Sequence, residues 1–575
     1  MPGPITSAFL SLILLSVSLP ALAQPGPPPL QALGEAPAPQ ENPITEPKRV
    51  LGKILFWDEQ LSSDNTVACG TCHRPAAGGA DPRRATHPGN DEIFGTADDI
   101  IGSFGIRALD STGRQLNDPI FGHSPQVTGR AAPSFFTSMF ADSNFWDGRA
   151  TDEFVDPLNE SNIVISTGGS LESQAVGPIL SSVEMAQADR TWQDVINKLE
   201  QVVPLALASD IPADMADALQ GGKDYGDLFL AAFSSAEINP TRIAMAIATY
   251  ERTLVPNETP WDEFIEGDNS AMTAQQIEGW QLFNDSVCRN CHVPPLFSDN
   301  NFHNIGLRPA NEDLGQFELT GQNNDRGKFK TPSLRNIGSK SALMHLGWIS
   351  DVSDAFDFYN AGAADTGHTQ FTQRQSNIPN SNIELNEVDV FANDDQQRNK
   401  IIDFIVNGLS DPRASQEVFP FDRPTLASES AQEPSVQYSN AIRTDLQTSS
   451  AQFELSVLGD SNRADTHFSL NEAITINARI TIDPNDIGLE SQLYCVVSYG
   501  GNLFALNEDG GFTLWNGDTA SLTSARSIQR LGSIENIGLV SGLSQLSGVF
   551  EIYVGYMPND NILRFNARPF SFEVE

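Results

Sequence analysis

Cys69-Gly70-Thr71-Cys72-His73 is the stretch from which the rest of this sequence can be read, because Cys288-Arg289-Asn290-Cys291-His292 repeats its pattern far downstream. C-x-x-C-H is the attachment signature of c-type haem. The two thiols add to the haem vinyl groups, and the adjacent imidazole supplies the proximal ligand to iron. One turn of backbone must therefore present both sulfurs to one porphyrin edge and a ring nitrogen to its face. A zinc ribbon would need its C-x-x-C pairs roughly 15–20 residues apart. Here they begin at Cys69 and Cys288. A disulfide inside each motif would leave His73 and His292 without a purpose. The reading is two covalently bound haems c, held by Cys69, Cys72, His73, Cys288, Cys291 and His292.

At 575 residues the chain is too long for one core, and about two to four domains are expected. The formal charge of −40 argues against nucleic acid, since a phosphate-binding face needs clustered Lys and Arg. It suits an exported protein and would steer a basic redox partner toward it, although solubility alone explains it as well. Four of the five cysteines are spent on the haem motifs, so no intramolecular disulfide framework is available. The fifth, Cys495, sits in the apolar run Leu493-Tyr494-Cys495-Val496-Val497 and reads as a small buried hydrophobe. Residues 5–19 form an apolar run ending in Leu19-Pro20-Ala21-Leu22-Ala23-Gln24. It is short for a membrane span and carries a signal-peptidase site at Ala21-x-Ala23, though it lacks a basic n-region. Residues 1–23 therefore read as a signal peptide, which places the protein in the periplasm and agrees with haem attachment outside the cytoplasm. No later segment is apolar enough to cross a bilayer.

Pro, Ala and Gln dominate residues 24–47, which read as an extended lead-in. A first haem domain is expected over 48–255, opening with an apolar helical pattern (Leu51, Ile54, Leu55, Leu61) that delivers the chain to Cys69. The Gly- and Asp-rich stretch from Gly78 to Gly129 reads as long loops. Asp91, Asp98 and Asp99 offer calcium ligands there, with a solvated loop as the plainer alternative. Helical patterns return at Thr191–Val203 and Pro240–Leu254. A second haem domain is expected over 256–412, its Thr273–Phe283 helix running into the second motif as the first domain's helix ran into the first. Residues 413–452 read as a linker. Alternating runs after it, such as Ile474-Thr475-Ile476-Asn477-Ala478-Arg479-Ile480, indicate an all-β, sandwich-like domain over 453–575. It carries one His, His467, and no motif with assignable chemistry. The fold class is thus mainly α, two cytochrome c-type domains followed by a β domain.

Several further blocks carry a resemblance. Leu51-Gly52 through Leu61-Ser62, Phe145-Trp146-Asp147-Gly148-Arg149-Ala150, Gln174 through Glu184-Met185, Glu251-Arg252-Thr253-Leu254, Phe302-His303-Asn304-Ile305-Gly306, Lys330-Thr331-Pro332-Ser333-Leu334-Arg335-Asn336 and Asp357-Phe358-Tyr359 occur in this order. Over about residues 47–412 the chain resembles the bacterial di-haem cytochrome c peroxidase and MauG superfamily. The resemblance implies that hydrogen peroxide meets the first haem while the second stores or relays an electron from an external redox protein. It implies Trp146 between the haems, and Gln174 and Glu184 as the distal pair opposite His73. Taken singly, Glu184 would read as a surface carboxylate and Trp146 as a core aromatic. An insertion between Arg149 and Gln174 departs from the family pattern.

The resemblance also bears on the remaining ligands. The run Phe121-Gly122-His123 through Arg130 looks like the family loop whose His caps the first iron in the oxidised enzyme, with His87 the next choice and an exposed loop His the plain one. For the second iron the candidates are Met344, Tyr359, His303, His345 and His368. Tyr359 stands where the peroxidases place Met and MauG places Tyr, so it leans toward MauG while His123 leans toward the peroxidases. The family's inter-haem calcium is an open question, because the position of its Asn ligand is Ala131 here. A homodimer is also left open. The expected function is an exported peroxidase. A MauG-like enzyme that oxidises residues of a partner protein and a non-catalytic electron carrier are the alternatives.

Overall fold

The computed structural model describes residues 30–574 except 95, 97, 115, 117, 122–123, 309–310, 361–393, 431–436, 446–447, 459–466, 471–473, 533, 544–546 and 568. The proposed signal peptide, His123 and His368 therefore lie outside the described residues.

Two helix crossings organise the two haem-motif regions. The Glu46–Trp57 helix starts with Pro47 in its first turn, where a missing N–H costs nothing. It is buried from Lys48 to Trp57, so its cations need partners. Arg49 meets Asp214 at 2.8 Å, and Lys53 meets Asp214 at 3.1 Å and Asp422 at 2.9 Å. The helix lies so close to the Pro240–Glu251 helix that a Cβ on Gly52 would stand 1.8 Å from the Ala246 carbonyl oxygen. The Ala274–Asp285 helix repeats the device. Its cap is Thr273, whose hydroxyl accepts the Gln276 N–H at 3.2 Å. It crosses the Asp395–Asp403 helix with the Gly279 Cβ position 2.0 Å from the Lys400 carbonyl oxygen. Aromatic side chains fill the space beside each crossing, with Phe56, Trp57 and Tyr250 in the first core and Trp261, Trp280, Phe283 and Phe404 in the second.

The expected helices are present with shorter or shifted ends: Trp192–Leu199 behind the cap Thr191, Pro240–Glu251, and Ala274–Asp285. Three stretches differ from the sequence reading. The lead-in packs rather than trailing free: Leu33 is buried and its N–H donates to Asp262, while the buried Asn42 donates to Glu172 and to the Met245 carbonyl. The stretch Gly78–Gly129 holds paired strands, Ala85–His87 with Ile100–Gly102 and Phe104–Arg107 with Pro125–Val127. Strands this short cannot display a period. The third difference is the linker. Residues 412–430 fold back onto the first region, seating Ala414, Phe421 and Leu426 in its core and pairing Arg74 with Glu429 at 2.9 Å. Strand pairing then begins at Gln437, ahead of the boundary expected at 453.

The C-terminal strands form one twelve-stranded hydrogen-bonded network. At one end of its strand order Thr448–Leu458 pairs with Ile474–Thr481, which pairs onward with Ile534–Leu543. Strict alternation buries Ile474, Ile476, Ala478 and Ile480, and Cys495 joins the same apolar cluster as expected. Among the described residues no helix is long and apolar enough to cross a membrane.

Adding a methyl group at either crossing must push two helices apart. Gly52→Ala is expected to cost about 1–3 kcal/mol despite Ala's better helix propensity, read as a lower urea midpoint. Gly34→Ala, with open space around its Cβ position, should leave the midpoint unchanged. Equal midpoints for all three proteins would refute the packing argument.

Candidate functional site

The first Cys motif is a single helical turn, Cys69–Cys72, pinned from below. Gly70 lies on Trp57, and a Cβ there would stand 2.2 Å from the indole ring. The indole N–H in turn donates to the Tyr250 hydroxyl at 3.1 Å. Only glycine lets the attachment turn sit this close to the helix that delivers it. The His73 N–H closes the turn on the Cys69 carbonyl at 3.0 Å.

Both motif histidines are oriented in the same way. His73 Nδ1 lies 3.2 Å from the Gly79 carbonyl and His292 Nδ1 lies 3.0 Å from the Phe297 carbonyl. A carbonyl can only accept, so each Nδ1 carries the proton and each Nε2 keeps a free lone pair. Gly79 and Phe297 have φ of +76° and +53°, the left-handed backbone that turns these carbonyls back onto the rings. Glycine adopts it freely, whereas Phe297 is strained. Cys69, Cys72, Cys288 and Cys291 are all free thiols. Burial pushes Cys69 up to about 12 and raises Cys72 and Cys288 as well, so these three are not ready thiolates for a divalent metal. Two neutral thiols beside an imidazole with a directed lone pair fit a covalently attached haem.

A cavity of about 600 Å³ opens beside the first motif. Cys69, Cys72, His73, Trp146, Gln174 and Glu184, dispersed through the sequence, all line it. Glu184 sits in a turn held by its N–H to the Ser181 carbonyl at 3.1 Å. Gly105 lies beneath that turn, its Cβ position 1.8 Å from the Val183 carbonyl oxygen. The carboxyl is half-buried, its open side lining the cavity. Burial raises its pKa, against smaller opposing effects of Ser181 and Arg149. Gln174 is carried by the Ser170–Ala175 helix. That helix is locked by Glu172, which receives both Arg252 nitrogens at 2.7 and 2.9 Å in a fully buried pair.

Trp146 sits where the two haem-motif regions meet. Its indole N–H donates to the Ala131 carbonyl at 2.8 Å, and its own carbonyl accepts the Lys330 N–H at 2.9 Å. The Ala131 N–H donates to the His345 carbonyl at 2.9 Å. Behind it Arg130 bridges Asp147 at 2.5 Å and Asp313 at 2.7 Å, with its guanidinium over Phe329. Phe329 stacks on His345 at 3.6 Å between ring centroids. This network was not foreseen, since Arg130 and its partner Asp313 stand 183 residues apart in the chain.

The other ligand candidates divide. His87 lines the first cavity, but its Nδ1 accepts the Gly89 N–H at 3.1 Å, so the neutral ring carries its proton on Nε2 and offers that atom no lone pair. His303 is held by Asp299 at 2.8 Å, next to Cys291. His345 faces Trp146 and Phe329 at the junction. Tyr359 packs with Cys288 in the second core; burial, then the two motif cysteines, raises its pKa. Met344 packs against the same core. In the acidic loop, Asp98 accepts the Asn90 and Asp91 N–H groups and the Thr96 hydroxyl, and Asp91 accepts the Ile93 N–H. Those oxygens serve the turn.

The di-haem cytochrome c peroxidase family matches residues 46–270. The methylamine utilization protein MauG of Methylorubrum extorquens is 30% identical over 329 residues, 57% of this chain and 72% of that protein. Cytochrome c peroxidase Ccp of Escherichia coli K12 is 28% identical over 326 residues, 56% of this chain and 54% of its own length, so the match spans about half of that relative. Among solved structures, a MauG-like protein associated with microbial copper homeostasis is 21% identical with a TM-score of 0.46, covering 70% of this chain and 97% of the other.

Replacing Cys69 and Cys72 together by Ala should remove one covalently held haem from the chain, and replacing Cys288 and Cys291 the other; the mass of the denatured protein checks both. His345 gives a pH signature. Its folded pKa is lowered from 6.5 to about 3, by burial first. Below the unfolded value the unfolded chain takes up a proton that the native ring refuses. Stability is therefore lost as pH falls from about 6.5 toward 3. In His345→Gln that part of the acid sensitivity should vanish from denaturation midpoints measured across this range.

Proposed function

Because the chain belongs to the family of bacterial di-haem cytochrome c peroxidases and MauG, we propose that it reduces hydrogen peroxide to water in the first cavity, with electrons from an external redox protein. The observation that carries the reading is the convergence of His73, Gln174 and Glu184 on one cavity, with Trp146 at its inner wall. A haem held there supplies the iron at which peroxide binds and the electrons that break its O–O bond.

The protein's own residues then have defined work. His73, its Nδ1 proton committed to Gly79, presents Nε2 as the proximal ligand. Glu184 moves a proton between the two peroxide oxygens, so that one leaves as water rather than hydroxide. A carboxyl whose pKa is raised by burial suits this, because it holds a proton more readily than an exposed carboxylate does. Gln174 orients peroxide by hydrogen bonding without adding charge. Trp146, gripped by segments of both regions, offers an aromatic bridge along which electrons pass from the second site. His292 would hold the iron of a haem at that second site through Nε2, and Tyr359 is proposed to share in holding it. His123 is proposed to help hold the first haem's iron. Residues 1–23 are proposed to direct export to the periplasm.

Tyr359 favours a second reading. A phenolate ligand lowers haem potential where a thioether raises it. A second site so ligated would suit a MauG-like enzyme that stores oxidising equivalents and passes them to residues of a partner protein.

Peroxide consumption with a reduced small cytochrome c as donor separates the readings. Turnover that appears only after partial reduction supports the peroxidase. A long-lived oxidised state without donor turnover supports the MauG-like enzyme. No reaction with peroxide overturns both. Glu184→Gln should lower turnover by about 10²–10⁴-fold while leaving both haems attached.

A further inference from the structure

Glu251 is a buried acid with no part in the steps assigned to Glu184, Gln174 and Trp146. It ends the Pro240–Glu251 helix, is 4% exposed, and lines the first cavity close to Cys69. Its Oε2 has no hydrogen-bond partner among the described residues. The cations on the elements around it are already engaged. Arg252 is held by Glu172 and the Gly168 carbonyl. Lys48 is held by Asn42, Arg49 by Glu46 and Asp214, and Lys53 by Asp214 and Asp422. The C-terminal end of a helix also disfavours negative charge. A buried carboxyl with no cation and no donor stays protonated, and a protonated carboxyl has an O–H to give.

We propose that Glu251 is a proton-holding residue of the first cavity, a neutral carboxylic acid that yields its proton to the reaction there and recovers it from solvent. What the proton is used for rests on the peroxidase reading. Reduction of hydrogen peroxide follows H₂O₂ + 2 H⁺ + 2 e⁻ → 2 H₂O. The electrons come from the external donor, and the O–O bond is the one broken. Glu184 only moves a proton from one peroxide oxygen to the other, so two more protons must still reach the cavity. A carboxylate left at Glu251 has near it only Arg252, already paired with Glu172, and draws the next proton in. Burial, opposed by Arg252 and reinforced by Glu172, raises this carboxyl to about 8, so it is loaded at neutral pH.

Glu251→Gln keeps the shape and removes the titrating proton. In the holoprotein carrying both haems, the infrared difference between oxidised and reduced states should show the carbonyl stretch of a protonated carboxylic acid that shifts in heavy water. This band should be absent in Glu251→Gln and present in Glu184→Gln. The midpoint potential of the first haem should vary with pH in the native protein by up to about 59 mV per tenfold change in proton activity, and become flat in Glu251→Gln. An unchanged band or an unchanged pH dependence in Glu251→Gln overturns the proposal. If that variant does not retain haem, the native protein decides: the band must disappear as pH is raised through about 8, and a spectrum with no such band overturns it. The two readings fail separately. Loss of both signals in a protein that ignores peroxide keeps the proton site and discards the peroxidase, while turnover with both signals intact in Glu251→Gln does the reverse.

Discussion

Two helices can approach only as closely as the side chains between them allow, and in this protein that limit is set by two glycines. Gly52 and Gly279 bring a leading helix onto the backbone of a closing helix, with no room for a Cβ at either crossing. The position of the motif sulfurs depends on that approach. The Glu46–Trp57 helix ends in Trp57, Trp57 carries Gly70, and Gly70 lies inside the turn that presents Cys69 and Cys72. A shift at the crossing would be transmitted to the sulfurs, because each link is a close-packed contact. At the second crossing the Ala274–Asp285 helix leads directly into the Val287–Asn290 turn that contains Cys288. Repetition of one packing solution, rather than of sequence, makes the two regions alike.

That packing also explains how a chain of charge −40 can keep acids in its interior. The buried carboxylates that must stay ionised are paired. Glu172 has Arg252, Asp262 has Arg335 at 2.6 Å, and Asp313 has Arg130. These pairs hold segments far apart in sequence, and leaving one partner uncompensated would cost about 3–5 kcal/mol. Glu184 and Glu251 are left without such a pair, and both face the cavity. Pairing of most buried acids thus separates structural carboxylates from those free to exchange protons.

How much of this was legible beforehand depends on the range of each signal. The two attachment turns were plain, because covalent chemistry fixes five adjacent residues. The leading helices showed in their apolar spacing, though Lys48, Arg49 and Lys53 gave no hint that their faces were buried too, since their acids Asp214 and Asp422 are remote. Residues 413–452 read as a linker because Ala414, Phe421 and Leu426 are isolated apolar residues without a period, each filling a separate gap in the first core. Trp146, Gln174 and Glu184 were picked out through resemblance alone. Glu251 stood in one of the same blocks but received no role, for a single acid on an apolar helix is indistinguishable from a surface residue until its neighbours are known.

The site's division of labour arises from which contacts are backbone and which are side chain. Both proximal histidines are aimed by carbonyls, at Gly79 and at Phe297. A carbonyl cannot titrate, so the orientation of the ring and the location of its proton do not change with pH. Trp146 is likewise gripped through the Ala131 carbonyl and the Lys330 N–H. The groups proposed to carry electrons are therefore fixed by partners that never change protonation state. Glu184 and Glu251 have pKa values that burial moves toward neutrality, one with a direction set against Arg149 and the other with no cation to oppose it but Arg252. Electron transfer needs a rigid frame and proton transfer needs groups with two states, and the cavity places the two kinds of group on one surface without letting either disturb the other.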